Sequence, residues 1–80
     1  MILKPISSEK AVKMIELDNT LLFEVPRIAK RDEVKTEFEK LFSVKVADVR
    51  THIKINKKYA YIRLKKESPA IDIATKLGMI

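Results

Sequence analysis

Eighty residues are enough for one small domain, residues 1–80, and too few for a catalytic domain joined to a regulatory one. The absence of cysteine excludes a disulfide framework, a thiol nucleophile and a cysteine-held zinc, and suits a reducing cytoplasm. Seventeen basic residues against 11 acidic ones point to a polyanionic partner, while the short apolar start Met1-Ile2-Leu3 and the lack of any run near roughly 18 apolar residues predict a soluble chain without signal peptide or membrane insertion.

After Pro5, the stretch Ser8 to Ile15 places Ala11, Val12 and Ile15 at helical spacing behind a serine suited to capping, which predicts a short first helix. Asp18-Asn19 makes a turn. Thr20 to Val25 alternates, with Leu21, Phe23 and Val25 on one face, and ends at Pro26, so it reads as a strand. From Arg31 to Phe42 the apolar residues Val34, Phe38, Leu41 and Phe42 recur at helical spacing, and Asp32 and Glu33 suit the dipole of a helix start. Val44–Ile55 and Tyr59–Lys65 are β-rich runs joined by Asn56-Lys57-Lys58, an antiparallel hairpin. Ser68-Pro69 then reads as a cap with proline in the first turn, Ala70, Ile71, Ala74 and Leu77 as a helical stripe, and Gly78 as a stop. The predicted fold class is α+β, a small antiparallel sheet packed with helices in the order αβαββα.

The hairpin holds the charge. Residues 46–66 carry Arg50, Lys54, Lys57, Lys58, Arg63, Lys65 and Lys66 against Asp48 alone, a balance of +6 that equals the net charge of the whole chain. With Asn56-Lys57 as the turn, Ile53 would pair with Ala60, Thr51 with Ile62 and Val49 with Leu64, giving an apolar face. The opposite face would pair Lys54 with Tyr59, His52 with Tyr61 and Arg50 with Arg63, with Lys65 beyond. Moving the turn to Lys57-Lys58 changes the partners but keeps both faces, because side-chain direction has a period of two. Such a basic and aromatic face supplies what RNA binding needs, cations for phosphates and rings for unpaired bases. Two directly opposed arginines would also repel one another unless an anion lay between them. The same tyrosines would equally serve to cover a helix or shield a strand edge.

No other chemistry has a candidate. One histidine without cysteine cannot build a usual zinc site, and Ser7, Ser8, Ser43 and Ser68 sit in cap or turn settings with no base beside them. The carboxylates Asp32, Glu33, Glu37 and Glu39 alternate with Lys35 and Lys40 on an amphipathic helix, the pattern of a solvated surface. A single glycine leaves no phosphate-cradling loop and argues against an RNA-recognition motif. The chain is therefore expected not to be an enzyme, and to need no cofactor or metal.

Three segments in order resemble the large-ribosomal-subunit protein family numbered twenty-three, found at the polypeptide exit tunnel. Pro5-Ile6-Ser7-Ser8-Glu9-Lys10-Ala11 looks like its opening of proline, hydroxyl residue and Glu-Lys-Ala. Glu33-Val34-Lys35, then Leu41-Phe42-Ser43-Val44-Lys45-Val46 and Val49-Arg50-Thr51, are similar to its helix, "LFxVKV" junction and "VNT" strand. Lys57-Lys58-Tyr59-Ala60-Tyr61-Ile62-Arg63-Leu64 is close to its "KKAYVRL" strand.

The resemblance implies a cytoplasmic, ribosome-bound protein that contacts large-subunit ribosomal RNA and neighbouring ribosomal proteins. It also implies a site where signal recognition particle, a nascent-chain chaperone or the translocon docks. By position, Lys45, Thr51, Lys54, Lys57, Lys58, Tyr61 and Arg63 would lie on or near the RNA surface, and Lys10 and Arg31 would extend it. Arg50, His52, Tyr59 and Lys65 join them from the hairpin face. Glu9 matches the family's exposed glutamate that contacts a ribosome-associated chaperone in bacteria. This chain departs from the family in three places. The bridge between the hairpin strands is short, as in the archaeal form or a eukaryotic core, Arg50 replaces the asparagine of "VNT", and Lys30 stands where a capping threonine or asparagine is common. A protein–protein adaptor built around Glu9 and the first helix is the alternative reading, with RNA binding incidental.

Overall fold

A computed structural model describes residues 3–79, so the reading of Met1 and Ile2 as part of a short apolar start lies outside the described residues. The elements run β1 (Lys4–Pro5), α1 (Glu9–Asp18), β2 (Thr20–Val25), α2 (Arg31–Phe42), β3 (Val46–Lys54), β4 (Lys57–Leu64) and α3 (Ala70–Lys76). The architecture is the expected α+β. It adds β1, a two-residue strand that antiparallel-pairs Lys4 with Glu24 and Pro5 with Phe23. Periodicity cannot reveal so short an element, and Pro5 gives no N–H to signal it. The sheet order is β1-β2-β4-β3, so β4 occupies the interior between its hairpin partner β3 and the sequence-distant β2.

Alternation puts Leu21, Phe23, Val25, Ala60, Ile62 and Leu64 on one face, where they form a single core with Ile15 of α1, Val34 and Phe38 of α2, and Ala70, Ile73 and Ala74 of α3. Phe38 is fully buried and meets Phe23 edge-on, ring centroids 5.4 Å apart, the geometry that aromatic quadrupoles favour. All three helices thus cover the same face. Val46 and Val49 both belong to this core although a spacing of three puts them on opposite faces of a regular strand. A bulge between Val46 and Asp48 resolves the conflict by inserting one residue.

Caps explain the helix limits. The Ser8 hydroxyl oxygen accepts from the Ala11 N–H at 3.2 Å and starts α1. At α2, Lys30 offers no side-chain cap, but its own N–H donates to Glu33 Oε1 at 3.0 Å, half of a capping box. The α3 start corrects the sequence reading: Pro69 is itself the N-cap residue, not a first-turn residue, and Ser68 accepts from the Lys45 N–H instead. The capping oxygen comes from Asn19, whose Oδ1 accepts the Ala70 N–H at 2.6 Å from 51 residues away. Along α3 the buried residues are Ala70, Ile73 and Ala74, while Ile71 is exposed. Gly78, at φ +71°, ends the helix in a Schellman arrangement: its N–H reaches Thr75 O and that of Met79 reaches Ala74 O.

The hairpin turn is also corrected. It is the two-residue link Ile55-Asn56, with φ +49° and +62°, and Lys57 and Lys58 already belong to β4. Positive φ at both positions is the type I′ arrangement that matches strand twist. A β-branched residue there is strained, and Ile55 is 84% exposed and packs on little. Ile55→Asn is therefore expected to stabilise the fold by about 1 kcal/mol, read as a higher denaturation midpoint at unchanged slope. An unchanged or lower midpoint would show that the turn carries no such strain.

Candidate nucleic-acid interface

The face of the sheet opposite the helices is built by the register. From β2 through β4 to β3, its rows read Glu24–Tyr59–His52, Leu22–Tyr61–Arg50 and Thr20–Arg63–Asp48. Lys54 faces Lys57 at the turn end, and Lys4 of β1 faces Glu24. Arg50, His52, Lys54, Lys57 and Arg63 are exposed, and Tyr59 and Tyr61 are half-buried on the face opposite the helix-packed core. The two faces of the hairpin are those expected from the alternation, but each partner shifts by two residues. Arg50 opposes Tyr61 rather than Arg63, and Arg63 opposes Asp48. The repulsion between directly opposed arginines, and the bound anion it implied, are therefore withdrawn. Arg50 Nε lies 3.6 Å from Asp48 Oδ2 with both side chains solvated, an ion pair worth little and easily exchanged for a phosphate.

Other sequence candidates fall elsewhere. Thr51 is half-buried on the covered face. Lys58 is on that face too, and its ammonium donates to the Ala29 carbonyl at 2.5 Å, tying the β2–α2 loop to β4. Lys45 and Lys65 are exposed at the end of the hairpin away from the turn, where the Lys65 N–H donates to Lys45 O at 3.0 Å. Arg31, the first residue of α2, borders a shallow groove beside the bulge with Asp48 and Val49. Glu9 is exposed in the first turn of α1.

Lys10 reaches the open face. With Met14 and Asp18, at intervals of four along one flank of α1, it walls a concavity of about 740 Å³ whose sheet side includes Thr20, Arg50, His52, Tyr61 and Arg63. Met14, Asp18 and Thr20 were not anticipated as site residues. The alternation of β2 does separate Thr20, Leu22 and Glu24 from the core residues, but no local signal says that β2 will lie beside β4.

Among the described residues no helix is long and apolar enough to cross a membrane. The chain matches the family Ribosomal protein L23 over residues 1–73. It is 43% identical over 74 residues to the large ribosomal subunit protein uL23 of Caldivirga maquilingensis, covering 91% of this chain and 86% of that one. It is 44% identical over 80 residues to uL23 of Methanothermobacter thermautotrophicus, covering 99% and 93%. The uL23 of Tetrahymena thermophila is 44% identical over 78 residues, which are 95% of this chain but 51% of that longer protein. These relatives are proteins of the large ribosomal subunit. Identity of this extent, together with the match over residues 1–73, makes the chain a member of the ribosomal protein L23 family.

Proposed function

We propose that this protein is a structural constituent of the large ribosomal subunit that binds large-subunit ribosomal RNA with the open face of its sheet. In this reading it sits near the polypeptide exit tunnel beside neighbouring ribosomal proteins and helps form the surface on which nascent-chain factors dock. The observation that carries the RNA contact is the open face itself: Arg50, Arg63, Lys54 and Lys57 converge around Tyr59 and Tyr61 on the side of the sheet opposite the helix-packed core. Cations at that density release counterions from phosphates, and uncovered rings offer stacking platforms. The docking role is what the family resemblance of the opening segment implies, and Glu9, exposed at the α1 start, is where a partner can reach it.

The test is binding to large-subunit ribosomal RNA over a salt series, with an unrelated structured RNA as competitor. Tight binding that survives the competitor is expected. Binding lost equally to either RNA would leave only a basic domain and favour the adaptor reading. Within that series, Lys57→Gln is expected to lower the slope of log affinity against log salt by about one unit. Lys58→Gln should lower it less, because the Lys58 ammonium is engaged at Ala29 on the covered face. Equal losses for the two variants would contradict this division.

A further inference from the structure

The concavity between α1 and the open face is more than a patch for phosphates, because it contains carboxylates. Asp18 is in the last turn of α1, where a negative charge opposes the helix dipole. No basic residue shares that turn, and among the described residues no ion pair holds the Asp18 carboxylate. Local stability therefore gives no reason for an acid here, and an uncompensated breach of a local rule points toward function. A surface serving only phosphates would gain by having a neutral residue in its place. A carboxylate lining the same concavity as Lys10, Arg50 and Arg63 instead suits a ligand that carries both anionic oxygens and N–H donors, as a nucleotide does.

From this we infer that the concavity takes one unpaired guanine of an RNA, stacked on Tyr61, read by the Asp18 carboxylate and held at its phosphates by Lys10, Arg50 and Arg63. The inference rests on the proposed RNA-binding function. Its size of about 740 Å³ is within the range of small-molecule sites. Tyr61, on the interior strand between Leu22 and Arg50, presents the ring, and the Met14 thioether on the helix wall is a polarisable contact for a base. Guanine alone among the four bases offers two adjacent donors, its ring N–H and its exocyclic amino group, on one edge. Both can be accepted by the two oxygens of one carboxylate. Adenine, cytosine and uracil each set an acceptor beside their donor, which that carboxylate would repel.

The test uses the full chain and four U-rich hexaribonucleotides that differ only in a central G, A, C or U. The G oligomer is expected to bind about tenfold more tightly than the others, the size of one charge-assisted hydrogen bond, and to shift the NMR signals of the Met14 methyl and the Tyr61 ring. Asp18→Asn should abolish that preference while raising the all-U affinity, because a charge that repels phosphates goes, and leave the melting temperature equal or higher, since the dipole penalty goes. A purely structural role for Asp18 would lower the melting temperature without altering base preference. Equal affinity for all four oligomers overturns the inference, as do shifts confined to other surfaces or a preference that survives Asp18→Asn. If ribosomal RNA binding persists in that event, only the guanine site fails; if ribosomal RNA is not bound at all, the RNA-binding function fails with it.

Discussion

Asn19→Ala is expected to lower the unfolding free energy by about 3 kcal/mol, although the residue is a polar one in a turn. Its Nδ2 donates to the carbonyls of Leu64, Lys65 and Ser68 at 3.1, 3.2 and 3.2 Å, and its Oδ1 accepts the Ala70 N–H. Its backbone carbonyl also accepts from the Leu64 N–H at 3.0 Å. One side chain thus ties the α1–β2 turn to the end of β4 and caps α3. Alanine removes the side-chain contacts while keeping the backbone one, and is also disfavoured at φ +51°. Asn19→Gly tolerates the backbone but loses the same hydrogen bonds, so it should cost about 1 kcal/mol less than alanine. Denaturant midpoints for both variants check this. A loss under about 1 kcal/mol for alanine would mean that water replaces the network, and equal losses for both would mean that the left-handed backbone costs nothing.

Arg50→Gln combined with Arg63→Gln is expected to weaken ribosomal RNA binding about a hundredfold near physiological salt, and to lower the salt slope by about two units. Each arginine would supply a charge-assisted contact to phosphate, and glutamine keeps a polar side chain while removing the charge. Both side chains are exposed and neither enters the core, so the fold should be unaffected. Lys35→Gln with Lys40→Gln removes the same net charge from exposed positions of α2 and serves as the control. That control should change affinity much less. Similar losses for the two double variants would mean that overall charge, rather than the open face, attracts the RNA.

The limits of α2 and β2 could be read from the sequence because their signals lie within a few residues. Val34 and Phe38 recur with the helical period behind Asp32 and Glu33, and Leu21, Phe23 and Val25 alternate up to Pro26. The two faces of the hairpin were legible for the same reason, since a period of two survives any error in turn placement. The register was not. Ile55-Asn56 lacks the glycine that advertises a type I′ turn, and the lysines beside it looked more turn-like than an isoleucine at positive φ. The open-face placement of Arg50, His52, Tyr59, Tyr61 and Arg63 followed from alternation alone, whereas the engagement of Lys58 could not be read because its Ala29 partner belongs to a loop 29 residues away.

The sequence by itself determined the α+β class, the extent of β2 and α2, the basic and aromatic side of the hairpin, and the residues on which family membership rests. All of these are local patterns or motifs in order along the chain. Only the tertiary structure decided that β4 lies between β2 and β3, that a bulge lets Val46 and Val49 share one core, that Asn19 caps a helix 51 residues distant, and that Asp18 and Met14 wall the open face. Each of these depends on which distant segments pack together, a choice set by burying a common apolar face and satisfying backbone groups across the whole fold rather than by any pattern within one segment.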